Sequence, residues 1–243
     1  MLAHLLQQHL GRKISIVDVG ALAIDGEPPY QTMVGLCEVI GFDPQDRYRQ
    51  YGITHLPFVI GDGSEATLYV CAAPGMTSLF EPDPESFKML GLEPCGEVIT
   101  EKKVATHRLD SLVRVIDFLK IDAQGSELAA INGAGRLMDK AVFAQIEWSF
   151  LPLYKGAPEF WQVDKRLRDL GFVPYMLNHE HRRGKQTMAI DLIYIKDPRY
   201  LEEMASAQIV AMAAIADGCF DADDLVRHCM AEIKRRGLLQ DAA

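Results

Sequence analysis

Ile14-Ser15-Ile16-Val17-Asp18-Val19-Gly20 is the stretch whose reading decides the fold. It is short, mostly β-branched and ends in glycine. That is the composition of a strand buried on both faces of a parallel sheet, delivering its last residues into a loop. A second run of this kind, Cys37 to Phe42, follows after helix-length material that contains Pro28-Pro29-Tyr30, so the unit is strand, helix, strand. Further candidate strands lie at 54–60, 115–121 and 142–148, with helical segments between several of them, notably 126–138. This alternation predicts an α/β fold, a mostly parallel sheet with helices on both faces. Two stretches interrupt it, 66–71 after the turn Gly61-Asp62-Gly63 and 96–107 before Asp110, and together they form a small β insert.

Outward from this centre, Phe160, Val163, Leu167 and Leu170 fall at helical spacing and Gly171 stops the helix. Segments 172–177 and 187–195 form a closing antiparallel pair, with His179, His181, Arg182 and Arg183 in the loop between them. From Asp197 the pattern is helical. Pro198 suits the first helical position, Leu201, Met204, Ala205, Gln208 and Met212 form a stripe, and Asp221 is placed to cap a last helix that runs to Arg236. The stripe either covers the sheet or forms a dimer face. At the other end Leu2, Leu5, Leu6 and Leu10 share one face of an amphipathic helix stopped by Gly11. The division is therefore 1–12 as N-terminal helix, 13–196 as the main domain and 197–243 as a C-terminal helical extension.

Of 243 residues 49% are apolar, enough for one domain with a real core. Twenty-five basic against 34 acidic side chains leave a net charge of −9, which argues against nucleic acid or an anionic membrane as partner. No uncharged run is long enough to span a bilayer, and the N-terminal residues show no basic region ahead of an apolar one followed by a small-residue cleavage site, so the chain reads as soluble and cytoplasmic. Five cysteines show no CxxC pair and no even framework; they are expected to be small buried hydrophobes.

In open α/β sheets ligands bind beyond the carboxyl ends of the strands. Asp18-Val19-Gly20 lies at that point on the first strand. Asp43, at the end of the second, is placed to accept both hydroxyls of a ribose, and Asp62, after the third, to take an adenine amino hydrogen. The glycines that let a backbone approach a pyrophosphate are missing, since Leu22, Ala23 and Ile24 follow Gly20-Ala21. That disfavours NAD or FAD and suits an adenosyl ligand without a phosphate.

Val17-Asp18-Val19-Gly20-Ala21, Gly41-Phe42-Asp43-Pro44, Leu109-Asp110-Ser111-Leu112, the run Lys120-Ile121-Asp122-Ala123-Gln124-Gly125-Ser126-Glu127, and Gln145-Ile146-Glu147-Trp148 ahead of Leu151-Pro152-Leu153-Tyr154 together resemble the FkbM-type methyltransferases. The resemblance implies a Rossmann-like class I methyltransferase fold of seven strands and S-adenosylmethionine as cofactor. It also implies methylation of a hydroxyl on a sugar, a glycan or a small secondary metabolite. By it, Asp18 and Gly20 line the methionine end, Asp43 the ribose, Asp62 the adenine, and Asp122 stands beside the methyl group. Leu22, Ile24, Asp43 and Gln124 depart from the usual Asn, Gly, Glu and acid.

An alcohol is a poor nucleophile, so a base helps, and Asp122, His107, His179 and His181 are the candidates. A helix-capping role is the structural alternative for Asp122. Glu147, Tyr154, Lys155, Gln186 and Asp191 are candidate acceptor contacts. Asp122 and Glu147 are hard-oxygen groups on adjacent strands, yet no motif places a third carboxylate with them, so no metal is expected. Two other readings remain open: a non-catalytic binding module that kept the fold, and a nucleotide-sugar or NAD enzyme.

Overall fold

The computed structural model of the chain describes residues 9–22, 26–45 and 52–238. The expected N-terminal helix, with Leu2, Leu5 and Leu6, and the loop residue Ile24 lie outside the described residues; Leu10 is described and packs half-buried against the core. The strands are β1 (Ile14–Val19), β2 (Cys37–Phe42), β3 (Ile53–Leu56), β4 (Glu65–Cys71), β5 (Val98–Ala105), β6 (Phe118–Ile121), β7 (Phe143–Ser149), β8 (Phe172–Arg183) and β9 (Gln186–Lys196). The helices are α1 (Pro84–Met89), α2 (Glu93–Gly96), α3 (Leu109–Leu112), α4 (Glu127–Ala134), α5 (Phe160–Asp169), α6 (Ser206–Phe220) and α7 (Asp223–Arg235).

Seven strands form one sheet in the order β3-β2-β1-β6-β7-β9-β8, and β4 and β5 pair as a separate antiparallel ribbon, the expected insert. The five strands from β3 to β7 are parallel, while β9 runs against both β7 and β8. The chain winds outward in one direction from β1 to β3 and in the other from β6 onward. This switch point opens a crevice beyond the carboxyl ends of β1 and β6.

The period of two along each strand sorts side chains between two cores. Ile14, Ile16, Phe118, Phe143 and Ile193 face α6 and α7, whereas Val17, Val19, Leu119, Ile121 and Ala144 face α4 and α5. Residues 209–216 of α6 are buried on every side between the sheet and α7; of the expected stripe Leu201 and Met212 are buried, Met204 and Gln208 half-buried and Ala205 exposed. Phe220, at the end of α6, stacks on Phe143 with ring centroids 5.4 Å apart. Among the described residues no helix is long and apolar enough to cross a membrane.

Four local expectations are corrected. Among the described residues the β1–β2 connection holds a 3-10 turn, Gln31–Met33, and no α-helix; Pro28 and Pro29 remove amide donors and force extended backbone ahead of them. The third strand stops at Leu56, before Pro57. His179, His181, Arg182 and Arg183 are strand residues, because β8 and β9 continue until only Gly184-Lys185 separates them. Asp221 takes left-handed φ and ψ of 47° and 37° as the C-cap of α6, and Ala222 is the N-cap of α7. All five cysteines are free, three of them buried.

Phe143 is fully buried between sheet and α6. Phe143→Ala is expected to lower unfolding free energy by about 3–5 kcal/mol through lost apolar burial and the cavity left behind, measured by urea titration. A loss under about 1 kcal/mol would mean that α6 does not pack as described.

Candidate active site

The site begins where β1 and β6 end. Gly20 has φ +81°, and a Cβ built there would lie 1.8 Å from the carbonyl oxygen of Asp122, so no other residue fits. The Asp122 amide donates to the Val19 carbonyl at 2.9 Å, and the amides of Gly20 and Ala21 both donate to the Phe42 carbonyl, at 2.8 and 3.2 Å. The ends of β1, β2 and β6 are thereby drawn together.

Beyond them lies a cavity of about 290 Å³ whose walls include Gly20, Asp43, Phe58, Ile60, Asp122 and Ser126. A second cavity of about 290 Å³ adjoins it; the two share Gly20, Asp122, Glu147 and His181, and the second adds Asp18, Lys120, Gln145 and Asp191. A third, of about 420 Å³, opens on the other side of Gln124 and Glu147 and is walled by Trp148, Phe150, Tyr154 and Trp161.

Charged residues inside apolar strands explain the second cavity. Asp18 and Lys120 stand directly opposite each other in the β1–β6 register, and their ion pair closes at 3.1 Å. The Tyr30 hydroxyl donates to the other Asp18 oxygen at 2.5 Å. Burial works to lower the Lys120 pKa, but the charges of Asp18, Asp122 and Asp191 outweigh it and hold the ammonium well above its usual value.

Between the first and third cavities Gln124 adopts φ +50°, a conformation that costs a non-glycine residue on the order of 1–3 kcal/mol. Ser78 helps hold it there, its hydroxyl donating to the Gln124 carbonyl at 2.6 Å. The amide nitrogen of Gln124 donates to Asp122 Oδ1 at 2.8 Å and to Glu147 Oε2 at 2.9 Å, while its oxygen accepts from the Tyr154 hydroxyl at 2.7 Å. The strained residue is thus a clamp on two carboxylates. Burial, then the nearby Asp122 and Asp191, push the Glu147 carboxyl well above the usual range. Glu127, pushed up to about 7 by burial, accepts from the amides of Ala123 and Gly125 and fixes the turn that carries Gln124.

Of the residues singled out from sequence, Asp18, Gly20, Asp43, Asp122, Glu147, Tyr154 and Asp191 come together around these cavities. Asp122 does not cap α4; the N-cap is Ser126, and the Asp122 side chain is held by Gln124. Asp62 is exposed, outside these cavities, and accepts from the amide and hydroxyl of Ser64 in its own turn. Gln186 is exposed at the tip of the β8–β9 hairpin, and Lys155 is paired with Glu81 at 2.6 Å. His107 packs on Phe58 behind the first cavity, while His179 and His181 line the second. Lys120, Tyr30 and Gln145 received no role from sequence. The signal for Lys120 and Gln145 was a polar residue within an apolar strand, which requires a partner on a neighbouring strand.

The family model of the FkbM methyltransferase domain matches residues 18–174, from the end of β1 into β8. The chain belongs to this family. Solved structures similar to this FkbM methyltransferase include the magnesium protoporphyrin IX methyltransferase of Synechocystis with bound S-adenosylmethionine (TM-score 0.38, 11% identity, covering 81% of this chain and 78% of that one). Others are a TehB-like methyltransferase of Corynebacterium glutamicum (TM-score 0.36, 11% identity, 81% and 88%) and an rRNA methylase of Streptococcus thermophilus (0.33, 16%, 81% and 97%). No curated protein matches.

S-adenosylmethionine is the cofactor of the FkbM methyltransferase, and the first cavity fits it. Among the described residues the Ser126 hydroxyl is buried there without a partner, a polar atom that a ligand in the cavity would satisfy. The carboxyl groups of Asp43 and Asp122 on this cavity favour a ligand bearing a positive sulfonium.

Burial pushes the Asp43 carboxyl up to about 6, a rise aided by Asp18 and Asp122 and opposed by the Gln45 amide. The folded protein therefore holds this proton in a window above the usual aspartate range where the unfolded chain has released it, and stability falls as pH rises through that window. Binding has the opposite sign, because ribose hydroxyls donate best to the ionised group. Affinity for S-adenosylhomocysteine should rise about tenfold between pH 5 and 7, and Asp43→Asn should flatten that rise and weaken binding at pH 7 by about 1.5–3 kcal/mol. Calorimetric titration at the two pH values checks this, and an unchanged Asp43→Asn profile would remove Asp43 from the ribose site.

Proposed function

We propose that the chain transfers a methyl group from S-adenosylmethionine to a hydroxyl oxygen of a sugar, a glycan or a small secondary metabolite. The observation that carries the reading is the pair Asp122 and Glu147, held side by side by Gln124 between the cofactor cavity and two further cavities. The cofactor brings an already activated methyl group on a positive sulfur. What remains for the protein is alignment and the removal of one proton from a weak nucleophile. A carboxylate with its orientation fixed suits an alcohol or phenol; an amine or thiol acceptor would need no such group.

Each residue then has a definite task. Asp43 accepts the ribose hydroxyls, and Phe58 and Ile60 give the base an apolar seat. Asp18, steadied by Lys120 and Tyr30, faces the methionine ammonium. Asp122 receives the acceptor proton. Glu147 and Gln124 orient Asp122 and the acceptor oxygen, and the Tyr154 hydroxyl fixes Gln124. The aromatic walls of the third cavity give the body of the acceptor a flat apolar surface, against which a sugar ring or an aromatic ring packs equally well.

Labelled methyl transfer to a panel of glycosides, aliphatic alcohols and phenols should yield O-methyl products. In Asp122→Asn, single turnover should fall by roughly 10²- to 10⁴-fold while affinity for S-adenosylhomocysteine stays within about twofold. Methylation on nitrogen, or an Asp122→Asn protein with near-normal transfer, would contradict the reading.

A further inference from the structure

Three neighbouring strands at the antiparallel edge of the sheet bring a second constellation to the polar cavity. Glu147 on β7 stands opposite Asp191 on β9, and Asp191 stands beside the segment of β8 that carries His179 and His181. Glu147, His181 and Asp191 each present a ligand atom within 4.8 Å of the other two, and His181 Nε2 is 3.7 Å from Glu147 Oε1. Ligands on a tetrahedral ion with bonds of about 2.1 Å lie roughly 3.4 Å apart, so small side-chain rotations close this set on a cation. All three residues are half-buried, reachable from solvent but partly shielded from it.

Two further observations point the same way. Among the described residues the cavity is walled by Asp18, Glu27, Asp122, Glu147 and Asp191 against a single ammonium, Lys120, which is bonded to Asp18. Gln145, two residues before Glu147 and walling the same cavity, is 2% exposed, and its side-chain oxygen has no donor among the described residues. A buried carbonyl oxygen without a donor carries a desolvation cost that a ligand in the cavity relieves.

We propose that Glu147, His181 and Asp191 bind one divalent transition-metal cation, with the Gln145 oxygen accepting a hydrogen bond from the ion's hydration water. One imidazole and two carboxylates suit Mn²⁺ or Zn²⁺ better than Mg²⁺ or Ca²⁺, whose shells are built from oxygen. The expectation from sequence that no metal is involved rested on the want of a third ligand beside Asp122 and Glu147. Pairing of β7 with β9 and of β9 with β8 supplies Asp191 and His181, which are far away along the chain. The role of the ion rests on the O-methylation reading: beside Asp122 it would polarise the acceptor hydroxyl and ease passage of the proton to that carboxylate.

The test uses the full chain, stripped with a chelator, dialysed and titrated with MnCl₂ while free Mn²⁺ is followed by electron paramagnetic resonance. One Mn²⁺ per chain, displaced by Zn²⁺, is expected, with binding weakened more than about tenfold in both Asp191→Asn and His181→Gln. S-adenosylhomocysteine calorimetry on the same samples reports folding and tests the methyltransferase reading separately. It should give the same cofactor affinity in wild type, in Asp191→Asn, which stands outside the cofactor cavity, and after chelation. Failure of the wild type to bind Mn²⁺ or Zn²⁺ while still binding S-adenosylhomocysteine would overturn the metal site alone. Mn²⁺ binding that is equal in the wild type and both variants would overturn it too, marking the ion as bound elsewhere. Mn²⁺ binding lost in the variants, in a protein that ignores S-adenosylhomocysteine, would uphold the site and overturn the reading.

Discussion

The contact between the backbone of Gly20 and the carbonyl oxygen of Asp122 is the constraint on which the working edge of the sheet depends. A Cβ would come within 1.8 Å of that oxygen, so a glycine at φ +81° lets β1 and β6 end at the same level. With the two strands in that register Asp18 faces Lys120, Asp122 projects past the end of β6, and the Phe42 carbonyl ties β2 to the same corner. Move either strand by one residue and the buried aspartate loses its lysine, at a cost of the order of several kcal/mol. The pairing that holds the sheet in place is thus also what gathers the acids around the cavity.

A second level of organisation rests on Gln124. Its left-handed backbone is unfavourable in isolation, and it is held by Ser78, Tyr154 and the turn that Glu127 anchors. What the strain achieves is the simultaneous grip on Asp122 and Glu147. An acid at position 124 would set a third acidic group against two that already crowd each other. An amide instead offers two donors, and this accounts physically for the departure from the family pattern at that position.

The sequence announces features that are local and hides those that depend on distant register. β1, β2, the β4–β5 insert and the helix at α5 follow from alternation, helical spacing and glycine stops, and Asp43, Asp122 and Glu147 follow from their places at strand ends. Pro28-Pro29 contradicts a helix between β1 and β2, but the strand-helix-strand expectation overrode it. The length of the final hairpin was obscured by the polar run Asn178-His179-Glu180-His181, which resembles a loop although these side chains line one wall of a cavity or face solvent on strand β8. Asp62 has the spacing of a cofactor ligand, but it stands in solvent with its Oδ1 accepting from Ser64 in its own turn, a placement that only the folded chain reveals. The meeting of Glu147 with Asp191 and His181 is invisible for the same reason, since it is created by two antiparallel pairings across the far edge of the sheet.

The central claim is that the corner built on Gly20 holds an adenosyl ligand bearing no phosphate, with the acids beyond it directed at a methyl acceptor. Calorimetric titration of the wild-type chain with S-adenosylhomocysteine and, separately, with NAD tests this most directly. The account predicts one S-adenosylhomocysteine bound per chain and no measurable heat from NAD. Silence with S-adenosylhomocysteine at saturating concentration, or tighter binding of NAD, would contradict it.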